Sequence, residues 1–357
     1  MKEKGTYYTQ LDGIRTIAVS CVMFGHWVTY KKLVYVNGFL AGSGVNIFFV
    51  LSGFLITGIL MKASENGNKI YALKQFYIRR FLRIFPLYYL IIFIGVLFAI
   101  PSIRQQFWWF FFYIGNIIVA KTSGNAGSFT HLWSLAVEEQ FYILFPFLIF
   151  FIPKRFRITS FIFMIILAII TRSFIYVFYK QNSSADWYSH TFTLSCLDSF
   201  ALGALLIYLK NYHSFFLNKV LKKSYIFFSA LIFSILFIYI YTLTADLNLL
   251  IFAFNRFLFS LFCFWVIGVA TTVGFKGLTK LFLENRYIKY LGKISYGLYV
   301  YHHFMPYFFG RFGYNVGGHS ILLNSFFYLI ATIIISSISW HFFEYPINKL
   351  KERFSYN

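Results

Sequence analysis

The sequence predicts an all-α integral membrane protein with about ten transmembrane helices and both termini in the cytoplasm. Three observations predict it. The 357 residues are 59% hydrophobic and only 12% charged, with a mean hydropathy of +0.67, whereas a soluble domain is about 45–50% apolar and about 25% charged. Apolar runs near the ~20-residue length of a membrane helix recur along the whole chain. The 32 Lys+Arg, set against 11 Asp+Glu for a formal net charge of +21, fall unevenly on alternate connecting segments. So much apolar surface excludes a soluble enzyme and a disordered chain.

The spans follow in order. The first, 14–30, has Asp12 just ahead of it and carries Arg15 and His26. These polar residues, and the lack of a small-x-small site after the run, argue against a signal peptide. The runs 38–61 and 84–100 contain no Asp, Glu, Lys, Arg or His, and a basic stretch, RRFLR at 79–83, precedes the second of them. Span 132–152 holds Glu138 and Glu139, 158–179 holds Arg172, 191–209 holds Asp198 and 250–274 holds Arg256. The run 225–243 has no charge, 294–310 contains His302 and His303, and 320–341 closes the set. The whole of 1–357 reads as a single membrane-embedded domain, with no soluble domain fitting between the spans or at either end.

Loop charge orients these spans, because short cytoplasmic loops carry an excess of Lys and Arg. One set of alternate segments holds 24 of the cations and the other eight, which places the first set inside. The same rule decides the run 105–120, which holds Trp108 and Trp109. If it crossed the bilayer, PKRFR at 153–157 and every later basic loop would face outwards. It is therefore expected to be re-entrant or interfacial. The net charge is an orientation signal, and a nucleic-acid partner is not expected. Cys21, Cys196 and Cys263 sit apart in apolar runs and read as small hydrophobes. No HExxH, CxxC or P-loop spacing occurs, so no metal is expected.

An ionisable residue inside a span is a functional candidate. Arg15 and His26 are eleven residues apart, close to three full turns, so they share a helix face about 16 Å apart along the axis. That suits a long substrate gripped by charge at one end and reacting at the other. It also suits an interfacial Arg and a core His bonded to a carbonyl. Arg80 and Arg83, at i,i+3, present two guanidiniums on one face, able to clamp phosphate or to anchor lipid headgroups. Glu138 and Glu139 point ~100° apart, so at most one readily faces a given pocket, where a carboxylate could orient His26 or act as acid or base. An Asp198 pair with Arg172 or Arg256 reads as a structural lock. His302 and His303 lie near the outer side, where they could border an acceptor site.

Taken in order, LDGIRTIAV…FGHW, GSGVNIFFVLSGFLIT, RRFLRIFPLY, LWSLAVEEQFYILFP, LGKISYGLYVYHHF and SWHFFEYPI resemble the acyltransferase-3 family of membrane acyltransferases, over nearly the whole chain. The resemblance implies an enzyme of the bacterial cytoplasmic (inner) membrane that moves an acyl group, usually acetyl, from cytoplasmic acetyl-CoA to a sugar hydroxyl on the far side. The acceptor would be of the O-antigen, capsule, exopolysaccharide or peptidoglycan type. The family's Arg-x10-His signature falls on Arg15 and His26, and its Arg-x-x-Arg signature on Arg80 and Arg83. His26 would then be catalytic, with Glu138 and Glu139 assisting, and Arg15, Arg80 and Arg83 would bind acyl-CoA. His302, His303 and Ser52 of the SGF turn are assigned to the substrate. Membrane lipid and, where the transfer is completed elsewhere, a separate extracytoplasmic protein are the expected partners. The rival reading is a multi-span transporter or exporter, which has no need of an arginine clamp in line with a buried His.

Overall fold

A computed structural model describes residues 7–28, 34–65, 68–179, 184–244, 248–311 and 320–356. Lys2, Lys4, Lys31, Lys32 and Lys180, which entered the charge count, lie outside the described residues. The described residues are helical, with no strand. In order the helices are α1 Thr9–Trp27, α2 Val34–Ser64, α3 Lys69–Leu97, α4 Pro101–Phe111, α5 Gly115–Lys121, α6 Trp133–Phe151, α7 Arg157–Tyr179, α8 Ala185–Thr191 and α9 Leu197–Tyr212. There follow α10 Ser214–Leu221, α11 Ser224–Thr244, α12 Leu249–Thr272, α13 Gly277–Leu283, α14 Arg286–Lys293, α15 Ser295–Tyr301, α16 Met305–Arg311, α17 Ile321–Ser339 and α18 Tyr345–Lys349. Short 3₁₀ turns, among them Gly127–Leu132 and His302–Phe304, link several of them.

The surface is inverted relative to a soluble fold. One stripe of α7 exposes Phe163, Ile166, Ile170, Phe174 and Val177, while the same helix buries Arg172. On α17, Phe326, Ile330, Ile334 and Ile338 face outwards, and Ser325, Thr332 and Ser336 face in. Apolar side chains outside and small polar ones between helices are what a lipid solvent selects.

Among the described residues, seven helices are long and apolar enough to cross a membrane, or up to eight when α10 and α11, bent by 58°, count as one broken span. Two of the ten expected spans fall short of that test for physical reasons. Helix α1 has 19 residues but carries Asp12, Arg15 and His26, and it needs little apolarity because most of its surface is buried by protein. The run 294–310 is not one helix: it breaks at His302–Phe304 between α15 and α16. The run 105–120 is divided between α4 and α5 at Tyr113, whose φ of 55° ends the first helix. At 11 and 7 residues, neither piece approaches the ~20 that a span requires.

At the centre α1 and α9 pack on α2. The approach of α2 to α9 depends on two glycines. A Cβ at Gly53 would overlap the carbonyl oxygen of Phe200, and one at Gly203 that of Val50. Beside this seam, Arg172 is buried with its guanidinium 2.7 Å from Asp198 Oδ2 and donating to the carbonyls of Ala253 (2.8 Å) and Ser195 (2.5 Å). The partner of Asp198 is thus Arg172. Removing one member of a buried ion pair strands the other charge, at about 3–5 kcal/mol. Asp198→Ala is accordingly expected to lower the melting temperature of the detergent-purified protein sharply, and the paired Asp198→Leu, Arg172→Met substitution to restore most of it.

Candidate functional site

Two cavities meet inside the bundle, and α1 runs past both. The inner one, about 270 Å³, is lined by Arg15, Arg80, Arg83, Ser52, Glu138 and Tyr142 among others. The outer one, about 470 Å³, is lined by His26, His131, Trp133 and His190 among others. Val45 and Tyr299 belong to both walls. The Tyr299 hydroxyl lies 2.5 Å from Ser134 Oγ and donates to the His131 carbonyl at 2.7 Å, so the ring stands as a pinned partition.

Arg15 reaches the inner cavity from α1, where its Nη1 is 2.5 Å from Asp12 Oδ1, and Tyr7 donates its hydroxyl to the same carboxylate. Arg80 and Arg83 enter from α3 on one helix face. Among the described residues no carboxylate lies within 4 Å of either guanidinium. Arg80 instead stacks 5.3 Å from the Tyr142 ring and 5.8 Å from that of Phe76. The third arginine of the RRFLR stretch is placed differently. Arg79 donates to the carbonyls of Lys351 (2.8 Å) and Phe354 (2.9 Å) and stacks on Tyr356.

Glu138 and Glu139 diverge as adjacent helical residues must. Glu138 faces the inner cavity, accepting from Ser52 Oγ at 2.9 Å and from the Tyr142 hydroxyl at 3.2 Å. Glu139 lines a third recess of about 370 Å³ together with Tyr77, Phe81 and Phe354, which shares Arg80 and Tyr142 with the inner cavity, and its Oε1 has no hydrogen-bond partner among the described residues. Neither glutamate hydrogen-bonds His26, although a carboxylate of this pair is expected from the sequence to be able to orient it.

The partner of His26 is His302. Their Nδ1 and Nε2 atoms are 2.8 Å apart, with the rings nearly parallel, 6° between planes. His302 is fully buried behind His26, and does not line the outer cavity. Its Nδ1 lies 2.5 Å from the Tyr299 carbonyl oxygen, while Trp27 Nε1 donates to the carbonyl of His302 at 3.1 Å. This chain of contacts sets the protons. A carbonyl only accepts, so His302 Nδ1 carries the hydrogen and the Nε2 of the neutral ring offers a lone pair. His26 Nδ1 donates to that lone pair, and His26 Nε2 keeps its own lone pair free. One imidazole anchored to the backbone fixes the tautomer of the other.

His303 sits edge-on to His26, ring centroids 5.2 Å apart, stacks on His131 at 4.8 Å, and contacts the Ser128 carbonyl through Nδ1 at 3.1 Å. His131 reaches the Val300 carbonyl through Nε2 at 3.0 Å. Among the described residues no group of three or more His, Cys, Asp or Glu side chains forms a metal-holding cluster. Of the residues around the outer cavity, His26, Arg172 and Arg256 were singled out from the sequence, whereas Tyr299, Trp133, Trp187 and His190 were not. Tyr299 stands three residues before His302, one helical turn, and that spacing was the signal available. The outer cavity is assembled from α1, α2, α6, α7, α8, α11, α12 and α15 and the Gly127–Leu132 turn, and sequence periodicity on any one helix does not reveal it.

Residues 8–341 match the family described as "Acyltransferase domain". The chain is 37% identical over 157 residues to the peptidoglycan O-acetyltransferase OatA of Listeria monocytogenes serovar 1/2a, covering 39% of this chain and 24% of that protein. It is 28% identical over 370 residues to the O-acetyltransferase OatA of Staphylococcus aureus strain NCTC 8325, covering 96% of this chain and 57% of that protein. It thus spans little more than half the length of the latter. No solved structure matches it. The chain belongs to the family of the acyltransferase domain.

Proposed function

We propose that this member of the acyltransferase family transfers an acetyl group from cytoplasmic acetyl-CoA to a carbohydrate hydroxyl on the outer side of the bacterial cytoplasmic membrane, with His26 as the catalytic residue. The observation that carries the proposal is the pair of cavities sharing Val45 and Tyr299, with three arginines in one and His26 at the wall of the other. The loop-charge asymmetry puts the arginine end at the cytoplasm. The carbohydrate acceptor is drawn from the O-acetyltransferase names of the relatives, one of them a peptidoglycan O-acetyltransferase.

In this reading the CoA phosphates lie against Arg80, Arg83 and Arg15. Arg80 and Arg83, which have no carboxylate partner among the described residues, are free to take phosphate oxygens in pairs, and Arg15, held by Asp12, adds its charge beside them. Glu138, held by Ser52 and Tyr142, keeps the cavity from being purely cationic once the donor leaves. The thioester passes the Tyr299 partition towards His26. There the free Nε2 takes the proton of the acceptor hydroxyl as its oxygen attacks the thioester carbonyl. The tetrahedral intermediate expels the CoA thiolate, which regains a proton from the imidazolium. The same lone pair serves a two-step route in which His26 first carries the acetyl group. Mass spectrometry of the enzyme with acetyl-CoA and no acceptor separates the two, since only the second accumulates acetyl-histidine.

The test is vectorial. Proteoliposomes containing the protein are loaded with acetyl-labelled acetyl-CoA and given glycan outside. Label is expected on external glycan only in vesicles whose arginine face points inwards. A transporter without transferase activity would leave the glycan unlabelled.

A further inference from the structure

We propose that the outer cavity of about 470 Å³ is the acceptor subsite, and that it takes an uncharged, hydroxyl-rich sugar ring. The assignment rests on the acyl-transfer reading of His26, whose ring forms part of the wall. The volume lies within the roughly 300–1,000 Å³ of small-molecule sites.

Three polar side chains of α2 line the cavity with a need that the protein does not meet. Asn37 Nδ2, Ser43 Oγ and Asn46 Oδ1 are buried atoms with no hydrogen-bond partner among the described residues. Buried polar groups are rarely left so, and three on one helix beside one cavity ask for a polar ligand. Their chemistry is mixed: an amide donor, an amide acceptor and a hydroxyl that serves as either. Sugar hydroxyls, which both donate and accept, complement such a set. A carboxylate or phosphate, which only accepts, does not satisfy Asn46 Oδ1.

The cations on this wall are already engaged. Arg172 is paired with Asp198. Arg256 donates to the carbonyl of His190 (2.8 Å) and contacts Cys196 Sγ (2.6 Å) and the Ser195 carbonyl (3.4 Å). Their positive charge is directed into the fold, which again favours an uncharged ligand. Facing α2, the indoles of Trp133 and Trp187 flank His190, with ring centroids 5.0 and 6.5 Å from it. Trp187 is seated against Gly124, which holds φ +82°, and a Cβ there would overlap the indole. Fixed aromatic faces of this kind offer an apolar platform for the C–H face of a pyranose.

The test is a binding measurement that needs no turnover. The full chain, in a detergent without a sugar headgroup, is titrated with chitotriose, cellotriose, maltotriose and the acidic trigalacturonate, followed by tryptophan fluorescence. An uncharged trisaccharide is expected to bind and trigalacturonate not to. Asn46→Leu, Ser43→Ala and Trp187→Ala are each expected to weaken that binding about tenfold with acetyl-CoA affinity unchanged. Preference for trigalacturonate, binding of none of the four, or equal affinity in all three variants would overturn the proposal. Wild-type protein that binds a trisaccharide but not acetyl-CoA would instead overturn the donor reading, so the two failures are distinguishable.

Discussion

Replacement of His26 by alanine is expected to reduce acetyl transfer by about 10²- to 10⁴-fold, the range that one positioned acid–base group contributes. The variant should insert and accumulate as the wild type does, because His26 contacts neighbouring histidines and a cavity and carries no ion pair among the described residues. Acetyl-CoA affinity should not change, since the donor's charged end is held about 16 Å away along α1. The measurement is acetyl transfer to glycan per mole of immunoblotted protein. Transfer at the wild-type level would remove His26 from the catalytic role.

His302 gives that experiment a companion. If its part is to hold His26 in one tautomer, His302→Leu should lower kcat with little change in the KM for acetyl-CoA. A drop of about a hundredfold is expected, less than the ~10⁴ seen when the orienting carboxylate of a serine protease is changed. His302→Gln keeps an oxygen able to accept from His26 Nδ1, so it should recover part of kcat. A role in packing alone would make the leucine and glutamine variants alike.

The residues most legible in the sequence are those whose relation is internal to one helix. Arg15 and His26 share a face because eleven residues make three turns, and Arg80 and Arg83 share one because three make nearly a turn; Arg15, Arg80 and Arg83 line the inner cavity and His26 the outer one. The divergence of Glu138 and Glu139 was legible for the same reason. Relations between helices were not. His26 and His302 are 276 residues apart, and no periodicity announces that α15 returns to α1. The break at His302–Phe304 is hidden in an apolar run whose hydropathy is that of a continuous span. Helix α1 shows the reverse: its charge count lowers its apolarity, yet protein burial on most sides is what keeps a polar helix in place.

The alanine variants of Arg80 and Arg83 should each weaken acetyl-CoA binding by about 10- to 100-fold, the loss of one charge-assisted contact to phosphate at roughly 1.5–3 kcal/mol. Lysine at either position should recover only part of the affinity, because a point charge lacks the planar two-pronged geometry. Arg79 supplies the control. It has the same charge, on the same turn of α3, but is committed to the carbonyls of Lys351 and Phe354 and to the Tyr356 ring. Arg79→Ala should therefore lower thermal stability and leave acetyl-CoA affinity intact. If the stretch served only to anchor anionic lipid, the three substitutions would be interchangeable, each worth about 1 kcal/mol of membrane attraction and none altering donor affinity. Calorimetric titration of the purified variants with acetyl-CoA decides the matter: two affinities lost and one kept assigns Arg80 and Arg83 to the donor, and three kept returns them to the lipid surface.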